Sequence, residues 1–130
     1  MAKYVYPAVF TVEDKGYSIN FPDLEGCYTC GDNLADGLIM ASDVLALTLY
    51  QYEKDKTFIP VPSELKSLNL EKNEFATLIL ADTIEYQKKF NKRAVKKTLT
   101  IPEWLNEAAS RANLNFSQIL QEALTTKLDV

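Results

Sequence analysis

The sequence of 130 residues predicts an α+β protein built in two parts. In residues 1–90, three short runs rich in strand-forming residues precede a long helical pattern and a final apolar run. These runs predict a sheet of about four strands with one long helix. In residues 91–130, one alternating strand precedes two short helical patterns. We therefore predict one domain in residues 1–90 and a second in residues 91–130.

The first part opens with a predicted hairpin. Residues 3–12, KYVYPAVFTV, are rich in β-branched and aromatic residues, and residues 17–21, YSINF, alternate after a turn at residues 13–16. After a loop, Cys27–Cys30 is a predicted third strand that ends at Gly31.

A long helix follows this strand. Asp32 or Asn33 can cap the helix, and an acid in its first turn suits the helix dipole. Its apolar residues recur at steps of three and four, at Leu34, Leu38, Ala41, Leu45, Leu49 and Tyr52. Phe75–Ile84 is a fourth strand whose continuous apolar run predicts burial on both faces. The charged residues 85–93 carry no strong pattern and are interpreted as the link between the domains.

The second part begins with a strand that alternates between polar and apolar residues. Leu99 and Ile101 share one face, and Lys96, Thr98 and Thr100 share the other. A lone strand cannot satisfy its backbone groups, and no second strand lies nearby in sequence. The simplest partner is the same strand of another copy, which predicts a homodimer. The resulting two-stranded ribbon would fit the major groove of DNA.

Two short helices follow the strand. Pro102 suits the first helical position, and Asn113-Leu114-Asn115 separates the helices. Asn115 or Ser117 can cap the second helix. We expect the helices to bury apolar side chains across the dimer, among them Trp104, Leu120 and Leu124.

Charge is distributed unevenly along the chain, whose net charge is −4. Residues 1–90 hold eight lysines and fourteen acids, a net charge of −6, whereas residues 91–130 hold six bases and four acids, a net charge of +2. This distribution is typical of a protein whose basic residues 91–130 bind nucleic acid and whose acidic residues 1–90 do not.

Several classes of site are disfavoured by composition. The chain has no histidine, so the usual general base and the commonest metal ligand are missing. Cys27 and Cys30 alone cannot supply four zinc ligands, and in a strand they would face opposite sides. We expect two unrelated, partly buried thiols, no metal and no cofactor.

Neither a membrane span nor a signal peptide is predicted. No apolar run approaches the length of about 20 residues that a span needs. The N-terminal segment MAKYVYPAVF lacks the apolar core and cleavage site of a signal peptide. We expect a cytoplasmic protein without a membrane partner.

Two motifs resemble one family. Residues 21–50, FPDLEGCYTCGDNLADGLIMASDVLALTLY, followed by PVPSE, resemble the N-terminal domain of HicB antitoxins in the order of loop, Gly-Cys, Gly-Asp and helix start. Residues 94–128 resemble a ribbon-helix-helix DNA-binding domain, which many HicB proteins carry. Together the two motifs cover nearly the whole chain.

The resemblance implies a bacterial type II toxin–antitoxin system. Its N-terminal domain would have a partial RNase H-like fold and would block a HicA-type toxin, an mRNA endoribonuclease. Its C-terminal domain would dimerise, bind operator double-stranded DNA and repress the operon. The resemblance also allows an assembly larger than a dimer when toxin is bound.

The family pattern also assigns residues that contact DNA. Outward strand residues read bases, here Lys96, Thr98 and Thr100. Phosphate contacts lie at the start of the second helix, here Asn115, Phe116 and Ser117, where free N–H groups suit an anion. Lys92 and Arg93 add positive charge just before the strand.

The chain departs from the family pattern at three positions. Asn113 replaces the usual glycine before the second helix and tolerates a left-handed turn. Phe116 stands where many relatives have a polar or basic residue, which leaves the backbone contact but weakens the case for a side-chain contact. Cys30 replaces a residue that is often polar, which fits an incidental pair of cysteines.

An acidic surface is the predicted contact for a basic RNA-binding toxin. Its residues are Asp23, Glu25, Tyr28, Asp32 and Asp36. The alternative interpretation is a solvated face without a partner.

Two alternative functions fit parts of the sequence. A metal-dependent nuclease would use Asp14, Asp23, Glu25, Asp32 and Asp36, but these lie in turns and at a helix start, where acids are favoured for local reasons. We therefore expect no enzyme activity. A stand-alone repressor with a ligand-sensing N-terminal domain is the remaining alternative, although the sequence has no glycine-rich phosphate loop.

Overall fold

The predicted N-terminal hairpin is present in the computed structural model, which describes residues 3–130. β1 (Lys3–Val12) pairs antiparallel with β2 (Tyr17–Asn20). Gly16 makes the turn between them with φ of +80°, and a Cβ atom there would lie 2.2 Å from the Gly31 carbonyl oxygen. Only glycine fits this turn, because both the dihedral and the close approach exclude a side chain.

Two further strands complete one antiparallel sheet. β3 (Tyr28–Gly31) pairs with β2, and β4 (Glu74–Asp82) pairs with the other side of β1, which gives the order β3-β2-β1-β4. The predicted sheet of about four strands is confirmed. The third strand is one residue later than predicted, so Cys27 precedes it.

One long helix, α1 (Leu34–Asp55), packs against one face of the sheet. Asn33, not Asp32, caps it, since the Asn33 side chain accepts a hydrogen bond from the Asp36 N–H. The buried core joins alternate residues of the strands to the apolar stripe of α1 and includes Tyr6, Ala8, Phe10, Ile19, Ile79, Ala81, Ala41, Leu45 and Leu49.

The prediction that β4 is buried on both faces is wrong. Ile79 and Ala81 are buried, but Leu78 and Leu80 between them are 52% and 58% exposed. β4 is the last strand of the sheet and α1 covers only one face, so alternate side chains remain outside the core.

The interpretation of residues 85–93 as a link is wrong for residues 85–90, which belong to α2 (Thr83–Phe90). The Asp82 side chain accepts hydrogen bonds from the N–H groups of Ile84 and Glu85, at 2.9 and 3.2 Å. The pattern Asp-x-x-Glu, here Asp82 to Glu85, is typical of a helix start. It overlaps the end of the apolar run Phe75–Ile84, so the sequence does not separate the strand from the helix.

A first compact unit ends at Lys92, and a second spans Arg93–Val130. The second unit contains α3 (Glu103–Arg111) and α4 (Phe116–Leu128), and Pro102 stands directly before the first residue of α3, where no side chain caps the helix. Asn113 has φ of +55°, which confirms that it makes the left-handed turn between the helices.

The strand predicted around residues 95–101 is not formed within one chain, where residues 91–102 have no regular secondary structure. A strand needs a neighbour to pair its backbone groups, and a single copy offers none here. Pairing between copies therefore stays a prediction.

Within residues 3–130, none of the helices combines the length and apolar character that crossing a membrane requires.

Candidate nucleic-acid and toxin interfaces

The three predicted base-reading side chains, Lys96, Thr98 and Thr100, are all exposed. The apolar residues that alternate with them are also exposed, Leu99 by 57% and Ile101 by 45%. The segment therefore presents both of its faces to solvent in a single copy.

The start of α4 is organised by Asn115, whose cap confirms one of the two predicted alternatives. Its side-chain oxygen accepts a hydrogen bond from the Gln118 N–H at 3.0 Å. The Ser117 hydroxyl accepts one from the Gln121 amide at 3.3 Å, and Phe116 is 46% exposed. The backbone N–H groups of Phe116 and Ser117 have no acceptor within the helix, which suits an anionic phosphate.

Large apolar side chains of the second unit lie in solvent. Trp104 is 69% exposed, Leu124 51% and Leu128 68%. None of residues 93–130 is buried, and only Ala109 and Leu120 reach intermediate burial. Lys92 and Arg93, which precede this apolar region, are also exposed.

Two of the five predicted toxin-contact residues, Asp23 and Asp36, accept hydrogen bonds that stabilise their own loop and helix start. The Asp23 carboxylate accepts hydrogen bonds from the backbone N–H and the hydroxyl of Ser63, at 2.9 and 2.5 Å. The Asp36 carboxylate accepts the Asp32 N–H at 2.9 Å, while the Asp36 N–H donates to the Asn33 side chain. Both carboxylates thus fix the loop and the helix start.

The remaining three residues, Glu25, Tyr28 and Asp32, are exposed, and the Tyr28 ring is 70% accessible. They combine two acidic groups and an aromatic ring on the loops and strand that lead into α1. This combination suits a cationic partner surface that also offers an apolar or planar contact.

The two thiols lie in different environments. Cys27 is buried, and burial raises the pKa of its thiol, whereas Cys30 is exposed. The Thr48 hydroxyl lies 3.4 Å from the Cys27 sulfur. Among residues 3–130, no group of three or more His, Cys, Asp or Glu side chains is placed to hold a metal ion.

A groove of about 250 Å³ lies between α1, the end of β4 and α2. Asp43, Glu85, Tyr86 and Phe90 are among the residues that line it. Its volume is below the range usual for small-molecule pockets, about 300–1,000 Å³, so it does not favour a ligand-sensing domain.

The family model described as "HicB_like antitoxin of bacterial toxin-antitoxin system" matches residues 6–124. This match covers both units and most of the chain. The chain belongs to the HicB-like antitoxin family.

One curated relative of this HicB-like chain is "Antitoxin HicB 2" of Photorhabdus laumondii subsp. laumondii, which is 36% identical over 58 residues. The match covers 45% of this chain and 42% of that relative, so it spans less than half of the relative's length.

Two solved structures are similar to this chain over nearly its whole length. A chain of a toxin–antitoxin complex from Streptococcus pneumoniae is 30% identical with a TM-score of 0.64, over 96% of this chain and 99% of that chain. The crystal structure of antitoxin HicB3 is 24% identical with a TM-score of 0.52, over 95% and 97% of the two chains, and supports the fold.

Lys88 and Lys89 lie in the last turn of α2, a position that the sequence pattern did not predict. The signal that could have found them is the Asp82–Glu85 capping pattern, which turns a charged link into a helix with a basic end.

Proposed function

We propose that this HicB-like protein is an antitoxin that binds a HicA-type mRNA endoribonuclease in the bacterial cytoplasm and blocks it. We further propose that two copies form a ribbon-helix-helix dimer, which binds operator double-stranded DNA and represses the operon. The antitoxin would act by binding alone, without catalysis.

The observation that carries this proposal is the absence of any buried residue in residues 93–130. The two helices of this unit expose Trp104, Leu105 and Leu124 and have no core of their own. Such a unit needs another apolar surface to be stable, because burial of apolar area is the main favourable term in folding. A second copy supplies a matching surface by symmetry.

In the proposed dimer, residues 96–101 of the two copies pair antiparallel. Leu99 and Ile101 then turn onto the helices, and Lys96, Thr98 and Thr100 face the major groove. Lys96 carries much of the direct base contact, because threonine hydroxyls discriminate bases less well than a basic side chain.

Phosphate contacts flank this ribbon. The backbone N–H groups at the start of α4, from Asn115 to Ser117, would bind a phosphate on each side, and Lys92 and Arg93 would add charge-based attraction. A two-fold dimer fits an operator with two-fold symmetry.

The first unit would bind the toxin. Glu25, Tyr28 and Asp32 are the proposed contacts, and Asp23 and Asp36 would keep their loops in place. A related chain in the Streptococcus pneumoniae structure belongs to a toxin–antitoxin complex, which supports a protein partner for this unit. Since each copy of the dimer carries one such unit, a larger assembly with toxin follows.

Co-expression with the neighbouring small gene tests the proposal. We expect the two proteins to co-purify and the complex or the dimer to shift the operon's own promoter DNA in a gel. A folded chain that neither captures the neighbouring protein nor shifts the promoter would contradict the proposal.

A further inference from the structure

A dense basic segment, residues 88–97, runs from the last turn of α2 into the segment that is proposed to form the ribbon. Its sequence KKFNKRAVKK has six basic side chains, and no acid lies between Glu85 and Glu103. Since the whole chain has 14 bases and 18 acids, the remainder carries a net charge of −10. The positive charge of the protein is therefore concentrated in this basic segment.

The α2 end of the basic segment is exposed and available. Lys88 and Lys89 are both exposed, and Phe90 is 55% exposed. The Lys88 ammonium lies 3.1 Å from the Glu85 carboxylate, with the two side chains 46% and 65% exposed. An exposed pair of this kind is worth about 0–1 kcal/mol, so it does not prevent Lys88 from binding another anion.

Lys89 is placed one helical turn after Glu85, whose carboxylate pairs with Lys88. Its ammonium lies 5.2 Å from the centre of the Phe90 ring. Such a contact leaves the positive charge intact and open to a further anion.

The length of the chain limits how far these lysines can lie from the DNA. Lys89 precedes Lys96 by seven residues, so the chain between them spans at most about 25 Å. Duplex DNA carries one negative charge for about every 1.7 Å of its axis. Phosphates therefore lie within that distance of a ribbon in the major groove.

We propose that Lys88 and Lys89, at the end of α2, bind backbone phosphates that flank the operator half-site, so that the toxin-binding unit also takes part in DNA binding. This inference rests on the proposed function of the dimer as a repressor. DNA is favoured over the toxin as the partner, because a basic RNA-binding protein repels a cationic helix end.

The salt dependence of DNA binding tests the inference in the full chain. Each lost phosphate contact lowers the slope of log K against log salt by about 0.9. The double variant Lys88→Gln/Lys89→Gln removes four lysines from a dimer, so we expect the slope to fall by up to about 3.6. Because phosphates carry no sequence information, affinity should fall equally for the promoter fragment and for unrelated DNA of the same length.

The matched control is Lys66→Gln/Lys72→Gln, which changes net charge by the same amount. Both lysines are exposed and lie outside the basic segment, and Lys66 pairs with Glu64 at 3.4 Å as Lys88 pairs with Glu85. We expect this control to keep the wild-type slope, and circular dichroism should show that both variants are folded.

Three results would overturn the inference. These are an unchanged slope in the α2 variant, an equal fall in the control, and a loss of toxin capture without a change in DNA binding. A wild-type chain that shows no affinity for promoter DNA would instead overturn the proposed repressor function itself, so the two failures are distinguishable.

Discussion

Gly31 at the end of β3 lies directly against Gly37 near the start of α1. A Cβ atom added to Gly31 would lie 2.4 Å from the Gly37 Cα and 2.5 Å from its nitrogen. Strand and helix backbones thus meet without intervening side chains. This close approach sets the corner that carries Asp32, one of the proposed toxin contacts.

Gly31→Ala should destabilise the first unit. The added methyl group meets backbone rather than a flexible side chain, so we expect a cost of about 1–3 kcal/mol or more in the free energy of unfolding. Urea denaturation measures this cost, with Cys30→Ala at the exposed neighbouring position as the control. Equal stability of the two variants would show that the corner is not tightly packed.

Tyr4 links the start of β1 to the end of α1, since its hydroxyl donates a hydrogen bond to the Glu53 carboxylate at 2.7 Å. Burial, then the hydrogen bond and the negative charge of Glu53, raise the pKa of Tyr4 to about 12. In the unfolded chain a tyrosine titrates near 10. The stabilising contribution is therefore complete below about pH 10 and is lost as the pH rises towards 12.

Tyr4→Phe should remove this part of the pH dependence. We expect the wild type to lose stability more steeply than the variant between about pH 10 and pH 12, as measured by denaturant midpoints. Tyr28→Phe, at an exposed position, is the control and should follow the wild type. Parallel curves for wild type and Tyr4→Phe would contradict the role of the Glu53 contact.

Periodicity in the sequence predicts the hairpin, the sheet and α1, because alternation and the helical stripe are local properties. It fails at β4, where an apolar run does not reveal that Leu78 and Leu80 lie on an uncovered face of an edge strand. It also fails at α2, where the capping residue Asp82 ends one element and starts the next.

In the candidate sites, too, features set by neighbouring residues can be predicted from the sequence, and features set by distant residues cannot. The Asn113 turn and the Asn115 cap depend on neighbouring residues and were predictable. The hydrogen bonds from Ser63 to Asp23 join residues 40 positions apart, so sequence alone could not separate a structural carboxylate from a binding one.

Lys96→Ala should weaken operator binding by about 1–3 kcal/mol and reduce sequence preference, because a base contact is lost. Binding to the toxin should be unchanged. Fluorescence anisotropy with promoter and scrambled DNA measures the first effect, and calorimetry with the toxin measures the second. Lys66→Ala is the matched control, and equal losses of DNA and toxin affinity would contradict the division of labour between the units.

A fragment of residues 1–92 should fold, capture the toxin and lose the preference for operator DNA over unrelated DNA, because it lacks the base-reading residues of the ribbon. It retains the whole sheet and both helices of the first unit, together with the Asn91 amide that donates to the Tyr50 hydroxyl at 3.3 Å. Pull-down with the toxin and rescue of growth measure its function. A folded fragment that fails to rescue cells would show that toxin binding requires the second unit.

The central claim is that residues 93–130 are completed only by a second copy. Sedimentation equilibrium of the full chain at micromolar concentration tests it most directly, with Leu124→Glu as the variant and Thr126→Glu as the control on the same helix. We predict a mass of twice 14.7 kDa for the wild type and the control, and a monomer for Leu124→Glu. A wild-type chain that sediments as a monomer with the second unit well ordered would contradict the claim.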